Sequence, residues 1–334
     1  MREAPYRTEL KPYGRALVEL ARTREDIVCL SGDLTRQCEV DLFQGLFPER
    51  FVHAGMAEAN MMSMAGALAR EGLQPWVHTF GVFATRRPYD QIVNAIACPN
   101  LPVRIIGFMP GISTPGGPSH QAIEDVAIMR ALPNMTVIDV ADAVEIRQAV
   151  PRIADLPGPV YLRLKRGEIP VVFDDDHEFR VGAGRQLLPG GEVALLTSGM
   201  MLPATLRAAA GLRAHGVDAG VTSLPTIKPL DHRAVLTAVR GARGVVTVEN
   251  HSVVGGLGSS VAEVLAEAGA GVPLRRIGLR DTFAEGSRTG PYLFEKYGLS
   301  VREIVKAAWE LTGREGPAPE VAVPEPETGE YAPV

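Results

Sequence analysis

Asp26-Ile27-Val28-Cys29-Leu30 runs into Ser31-Gly32-Asp33, an apolar stretch of strand length that stops on turn-forming residues. An unbroken apolar run of this size is expected of a strand buried on both faces, as in a parallel sheet whose crossover helices cover both sides. The pattern recurs at residues 74–79, 102–107, 135–140 and 160–164, with helical stretches between at 57–70, 88–97, 122–131 and 143–154. Beyond Leu164 it is interrupted by Gly167, Pro170 and the acidic run Asp174-Asp175-Asp176-His177-Glu178. It then resumes with strands expected at 193–197, 217–223, 244–249 and 274–277. The fold class is therefore expected to be α/β, built as two three-layer α/β/α domains with mainly parallel sheets. The first domain is set at residues 1–172, a linker at 173–190 and the second domain at 191–314. Past Arg314 repeated Pro and Glu leave little to bury, and 315–334 is expected to be a disordered tail.

The chain has 334 residues, 46% of them hydrophobic and 22% charged, which is enough apolar material for two cores. A net charge of -5 offers no basic field to nucleic acid, and no apolar run is long enough to span a membrane. Cys29, Cys38 and Cys98 form no C-x-x-C pair, and Met1-Arg2-Glu3-Ala4-Pro5 lacks the apolar segment of a secretory leader. These features point to a cytoplasmic protein whose cysteines are small buried apolar residues, with neither nucleic acid nor membrane as partner.

Three segments carry residues suited to chemistry. Glu58 opens Glu58-Ala59-Asn60-Met61, followed by Ser63, Ala65, Gly66 and Ala67, whose small side chains let a second backbone or a flat ligand come close. A carboxylate there can sit in solvent at a helix N-terminus, or it can act on a ligand. Phe80 and Phe83, three residues apart, can share one side of a turn, where they either pack in the core or offer a face to another ring. His120, in Pro118-Ser119-His120-Gln121, is either a structural hydrogen-bonding residue or a donor to a developing oxyanion.

Taken in order, Arg50-Phe51-Val52-His53-Ala54-Gly55-Met56-Ala57-Glu58, Thr79-Phe80-Gly81-Val82-Phe83 and Pro118-Ser119-His120-Gln121-Ala122-Ile123-Glu124-Asp125 resemble three segments of the transketolase pyrimidine-binding domain. Those segments carry the family's essential glutamate, its aromatic platform and a substrate-facing histidine. Pro133-Asn134-Met135-Thr136-Val137 extends the likeness. Val248-Glu249-Asn250-His251 through Ser259, and Asp281 through Lys296-Tyr297-Gly298-Leu299, resemble the transketolase C-terminal domain, so the likeness runs from about residue 10 to 311. The family's Gly-Asp-Gly segment and following Asn, which hold Mg2+ and the diphosphate, have no counterpart in this sequence.

The resemblance implies the C-terminal subunit of a split transketolase-like enzyme. Its partner would be an N-terminal diphosphate-binding subunit, two copies of each chain, with Mg2+ held by that partner and no metal ligand supplied here. The implied cofactor is thiamine diphosphate, and the implied reaction moves a two-carbon ketol unit from a ketose donor to an aldehyde acceptor. Glu58 would hydrogen-bond N1' of the aminopyrimidine, favouring the tautomer that takes the C2 proton. Phe80, Phe83 and Asp33 would contact the cofactor, His120 would face the substrate, and Arg166 would bind a substrate anion. Arg163 would likewise bind substrate, or serve the structure.

Departures from the family pattern leave the substrate open. Arg86 stands where a further aromatic residue is usual, Phe108 stands near the place of a phosphate-facing histidine, and Ser113-Thr114-Pro115-Gly116-Gly117-Pro118 lacks a hydroxyl-reading carboxylate. A 2-oxo acid dehydrogenase beta subunit supplies a comparable glutamate. Deoxyxylulose phosphate synthase shares the character of Tyr89-Asp90-Gln91 and of residues 163–167. A catalytically silent scaffold subunit is the non-enzyme alternative. Gly255-Gly256-Leu257-Gly258-Ser259 is not a G-x-G-x-x-G sequence and reads as tight entry into a helix, not as a nicotinamide site.

Overall fold

The computed structural model describes Met1 and residues 5–321. Its first half contains β1 (Thr8–Leu10), α1 (Pro12–Ala21), β2 (Ile27–Ser31), α2 (Asp41–Leu46), β3 (Phe51–His53), α3 (Glu58–Arg70) and β4 (Gln74–Phe80). Then come α4 (Gly81–Thr85), α5 (Tyr89–Gln91) running into a π-helical turn at Ile92–Ala97, β5 (Arg104–Phe108), α6 (Asp125–Arg130), β6 (Thr136–Asp139), α7 (Ala143–Ala154), β7 (Val160–Leu164) and β8 (Glu168–Pro170). The second half contains β9 (Arg185–Leu188), β10 (Val193–Thr197), α8 (Leu202–Ala214), β11 (Ala219–Ser223), β12 (Thr226–Lys228), α9 (His232–Ala238) and β13 (Gly244–Ser252). It closes with α10 (Leu257–Glu267), β14 (Leu274–Leu279), α11 (Gly290–Lys296) and α12 (Val301–Thr312).

The apolar runs are central strands of parallel sheets. A seven-stranded sheet has the order β12-β6-β7-β5-β4-β2-β3, and every pairing in it is parallel except β12 with β6. A five-stranded sheet, β14-β13-β10-β11-β9, is parallel except for the edge strand β9. Side chains alternate between two apolar layers, as the two-residue period of a strand requires. Ile27, Cys29, Ile106 and Leu162 join one layer, with α1 and α7, while Val28, Leu30, Ile105 and Tyr161 join the other, with α3 and the π-helical turn. The second sheet is sandwiched in the same way, by α8 and α12 on one face and α9 and α10 on the other. The expectation of an α/β fold with mainly parallel sheets is met.

The small residues of α3 answer to a backbone. A Cβ at Gly66 would lie 2.5 Å from the Ala95 carbonyl oxygen, so only glycine lets α3 approach the π-helical turn this closely. Differences from the sequence reading sit at edges. β9 lies inside residues 173–190, read as a linker, because its backbone completes the edge of the second sheet. Within the stretch read as a disordered tail, Ala318 and Val321 pack on the core; residues 322–334 lie outside the described part. Among the described residues, no helix is long and apolar enough to cross a membrane.

Candidate active site

The C-terminal ends of parallel strands are where open α/β sheets bind ligands, and most of the candidate residues gather there. Asp33 follows β2, Phe80 ends β4, Phe83 lies on α4 directly after it, and Arg166 follows β7. Glu58 begins α3, just beyond β3.

Glu58 is not a solvated cap. It is 5% exposed, and its Oε1 accepts a hydrogen bond from Arg87 Nη1 at 2.7 Å. Its Oε2 makes no hydrogen bond among the described residues. The Arg87 guanidinium lies 4.2 Å over the Phe83 ring, a cation–π contact. Phe83 stacks against Phe80 with centroids 6.1 Å apart and an interplanar angle of 18°. On its other flank it meets the His120 ring edge-on at 5.3 Å. Glu58, Arg87, Phe83, Phe80 and His120 are thus one contiguous group. Phe80 is buried while Phe83 is half-buried, so Phe83 is the more accessible of the two rings.

Arg87 was missed in the sequence reading. The signal was present: a cation four residues beyond an aromatic residue, at the end of a short helix, can fold back over that ring. Arg86, in contrast, turns toward the histidine-bearing loop, where it pairs with Glu124. Asp33 is exposed and Arg166 half-buried, and both act electrostatically on the buried Cys38. Among the described residues, the Arg166 guanidinium has no hydrogen bond or ion pair.

Arg163 needs correction as a substrate-anion residue. It is 1% exposed and its donors are committed: Nε and Nη2 to Asp125 at 2.8 and 3.1 Å, Nη1 to Asp139 at 3.1 Å, and Nη2 to the Asn250 carbonyl at 3.1 Å. Burial is the largest influence on the Asp125 pKa and raises it, but Arg163, His251 and Tyr161 together outweigh it and the net direction is down. Phe108 is likewise core, meeting Tyr13 edge-on at 5.6 Å. His78 is sealed between Tyr13 and the Leu30 carbonyl, and burial depresses its pKa to about 3. Cys29 and Cys38 are buried as expected, whereas Cys98 is exposed.

The transketolase pyrimidine binding domain family matches residues 10–171, and the transketolase C-terminal domain family matches residues 182–312. The chain belongs to the transketolase family. A protein named 6-deoxy-6-sulfo-D-fructose transketolase subunit, from Clostridium sp. (strain MSTE9), is 42% identical over 90% of this transketolase-family chain and 94% of its own length. A protein of Methanocaldococcus jannaschii described as a transketolase C-terminal section is 37% identical over 93% of this chain and 98% of its own. Among solved structures, a split gene transketolase, an inactive beta4 tetramer, is 41% identical with a TM-score of 0.82, covering 91% of this chain and 97% of that one. Deoxyxylulose phosphate synthases are also similar. That of Microcystis aeruginosa is 32% identical over 89% of this chain, which spans only 47% of it.

Proposed function

We propose that this chain is the pyrimidine-binding subunit of a split, thiamine diphosphate-dependent transketolase. It would work with a separate diphosphate-binding subunit, two copies of each, moving a two-carbon ketol unit from a ketose to an aldehyde. The observation that carries this reading is the buried Glu58, with one carboxylate oxygen uncommitted, joined through Arg87 to the Phe83–Phe80 ring pair. A carboxyl group grouped with aromatic rings suits an aminopyrimidine, which needs a partner for a ring nitrogen and a flat apolar surface. Bound thiamine diphosphate supplies the nucleophilic carbon and the electron sink.

This chain's own residues then have distinct work. Glu58 would share a proton with the ring nitrogen, and Arg87 holds Oε1, which leaves Oε2 for that role. Phe83 and Phe80 would line the pyrimidine site, and His120 would donate to the substrate oxygen that gains charge. Arg166 receives an anionic end of the substrate, the role its uncommitted guanidinium fits. The relative named for a sulfo-sugar makes a sulfonate one such anion to screen. Mg2+ is assigned to the partner, which would supply the Gly-Asp-Gly segment that this sequence lacks.

The test is Glu58→Gln in the chain reconstituted with its diphosphate-binding partner. Assembly should survive while turnover falls by about 10²-fold or more, the size of effect expected for a lost proton-transfer group. Undiminished turnover would refute the reading. The likeness to deoxyxylulose phosphate synthases supports one competing reaction, decarboxylative joining of pyruvate to an aldehyde. Release of CO2 from pyruvate by the same complex, with no ketose cleaved, would favour it.

A further inference from the structure

Arg86 stands where the family resemblance expects an aromatic wall, yet its guanidinium is bound up with the loop that carries His120. Nη1 donates to the Pro118 carbonyl at 2.8 Å, and Nη2 donates to the Gln121 carbonyl at 3.0 Å and to Glu124 Oε2 at 2.8 Å. Nε donates to Glu124 Oε1. These acceptors lie two residues before His120, one after it and four after it, so a single planar group brackets the histidine. A guanidinium can do this because its donors are fixed in one plane, which an ammonium cannot imitate.

Other contacts hold the loop as well: Gln121 Nε2 donates to the Thr114 and Glu285 carbonyls, both at 3.3 Å, and Ser287 N donates to the Pro115 carbonyl at 2.7 Å. His120 N and Gln121 N both donate to the Gly117 carbonyl, at 2.9 and 3.1 Å, which makes only one tight turn. On the opposite side the loop has no slack: a Cβ at Gly116 would lie 2.5 Å from the His120 Cβ. The imidazole sits between Phe83, edge-on at 5.3 Å, and Ser119 Oγ, 2.9 Å from Nδ1. A shift of the backbone at 118–121 would carry the ring off Phe83, and with it the donor's aim.

We propose that Arg86 is a positioning residue for His120, holding the 118–124 loop so that the imidazole stays against Phe83. It acts through the loop and does not itself touch substrate. The proposal rests on the transketolase reading of His120, so its test separates the two. In the full chain, Arg86→Met should speed amide hydrogen exchange across residues 116–123 by about tenfold or more, leaving the central strands of the first sheet unchanged. In the reconstituted complex the same variant should lower kcat by about tenfold while thiamine diphosphate affinity stays within about twofold, the pattern of a lost transition-state contact. Arg86→Lys should recover thermal stability but not kcat. Combined with His120→Asn, Arg86→Met should add less than about a twofold further loss, because coupled residues are not additive.

Unchanged exchange, or losses that multiply in the double variant, would overturn the role of Arg86 even with Glu58→Gln inactive. If His120→Asn and Glu58→Gln both retain full turnover, the transketolase reading itself fails.

Discussion

Arg163 and Arg166 sit three residues apart at the end of one strand, and nothing in their spacing tells them apart. Their surroundings do. Arg163 is enclosed with Asp125 and Asp139, whereas Arg166 is half-buried without an ion pair among the described residues. Removing one member of a buried charge pair strands the other, so Arg163→Met should cost about 3–5 kcal/mol in chemical denaturation. Arg166→Gln should leave stability nearly unchanged and raise KM for an anionic substrate by about tenfold, the worth of one charge-assisted hydrogen bond. A stable Arg163→Met protein with a raised KM would reverse these assignments. The partners that decide the matter, Asp125 and Asp139, come from 38 and 24 residues away in sequence, beyond the reach of local pattern. Glu58, Phe83 and His120 were legible because each lies in its own ordered motif. The link that joins Glu58 to Phe83, Arg87, was overlooked, although it stands four residues beyond Phe83, because that spacing is only a faint mark of a cation–π contact.

At the scale of elements, the passage from β13 into α10 depends on one acid. Glu249 accepts hydrogen bonds from Leu257 N at 2.7 Å and Gly258 N at 2.9 Å, capping the helix from inside the protein. Burial outweighs those two donors and pushes its pKa up from the usual 4.5 to about 7. With the folded value above the unfolded one, the contribution of Glu249 to stability is complete below about pH 4.5 and is lost as pH rises through about 7. The thermal midpoint should therefore fall between pH 5 and pH 8, and Glu249→Gln should flatten part of that slope; an identical slope in the variant would rule Glu249 out as a contributor. The glycines after β13 were correctly read as helix entry, but the buried acid beneath them was invisible until the strand and helix were set side by side. Central strands were legible from unbroken apolar runs. β3, β9 and β12 were not, since they are short, and β9 and β12 are partly polar, so their extended form follows from pairing with a neighbour.

Across the whole molecule, the two halves are interlocked. Ser198 Oγ donates to Asp139 at 2.9 Å, and the Asn250 side chain accepts from Ile112 N at 3.0 Å and donates to the Pro110 carbonyl at 2.9 Å. Ser287 N donates to the Pro115 carbonyl at 2.7 Å, tying the second half to the loop that carries His120. An interface made of buried, satisfied polar groups should make the halves unfold together. Calorimetry and circular dichroism should give one coincident transition, and two resolved transitions would contradict this coupling. The strand β12 has a practical bearing on recombination between relatives. It belongs to the second half by sequence but pairs with β6 of the first sheet. A hybrid joined near residue 180 would import a foreign border for that sheet. A chain truncated there would leave the β6 margin bare, an open template for self-association in solution. Shuffling experiments should keep residues 226–228 with the parent that supplies β6.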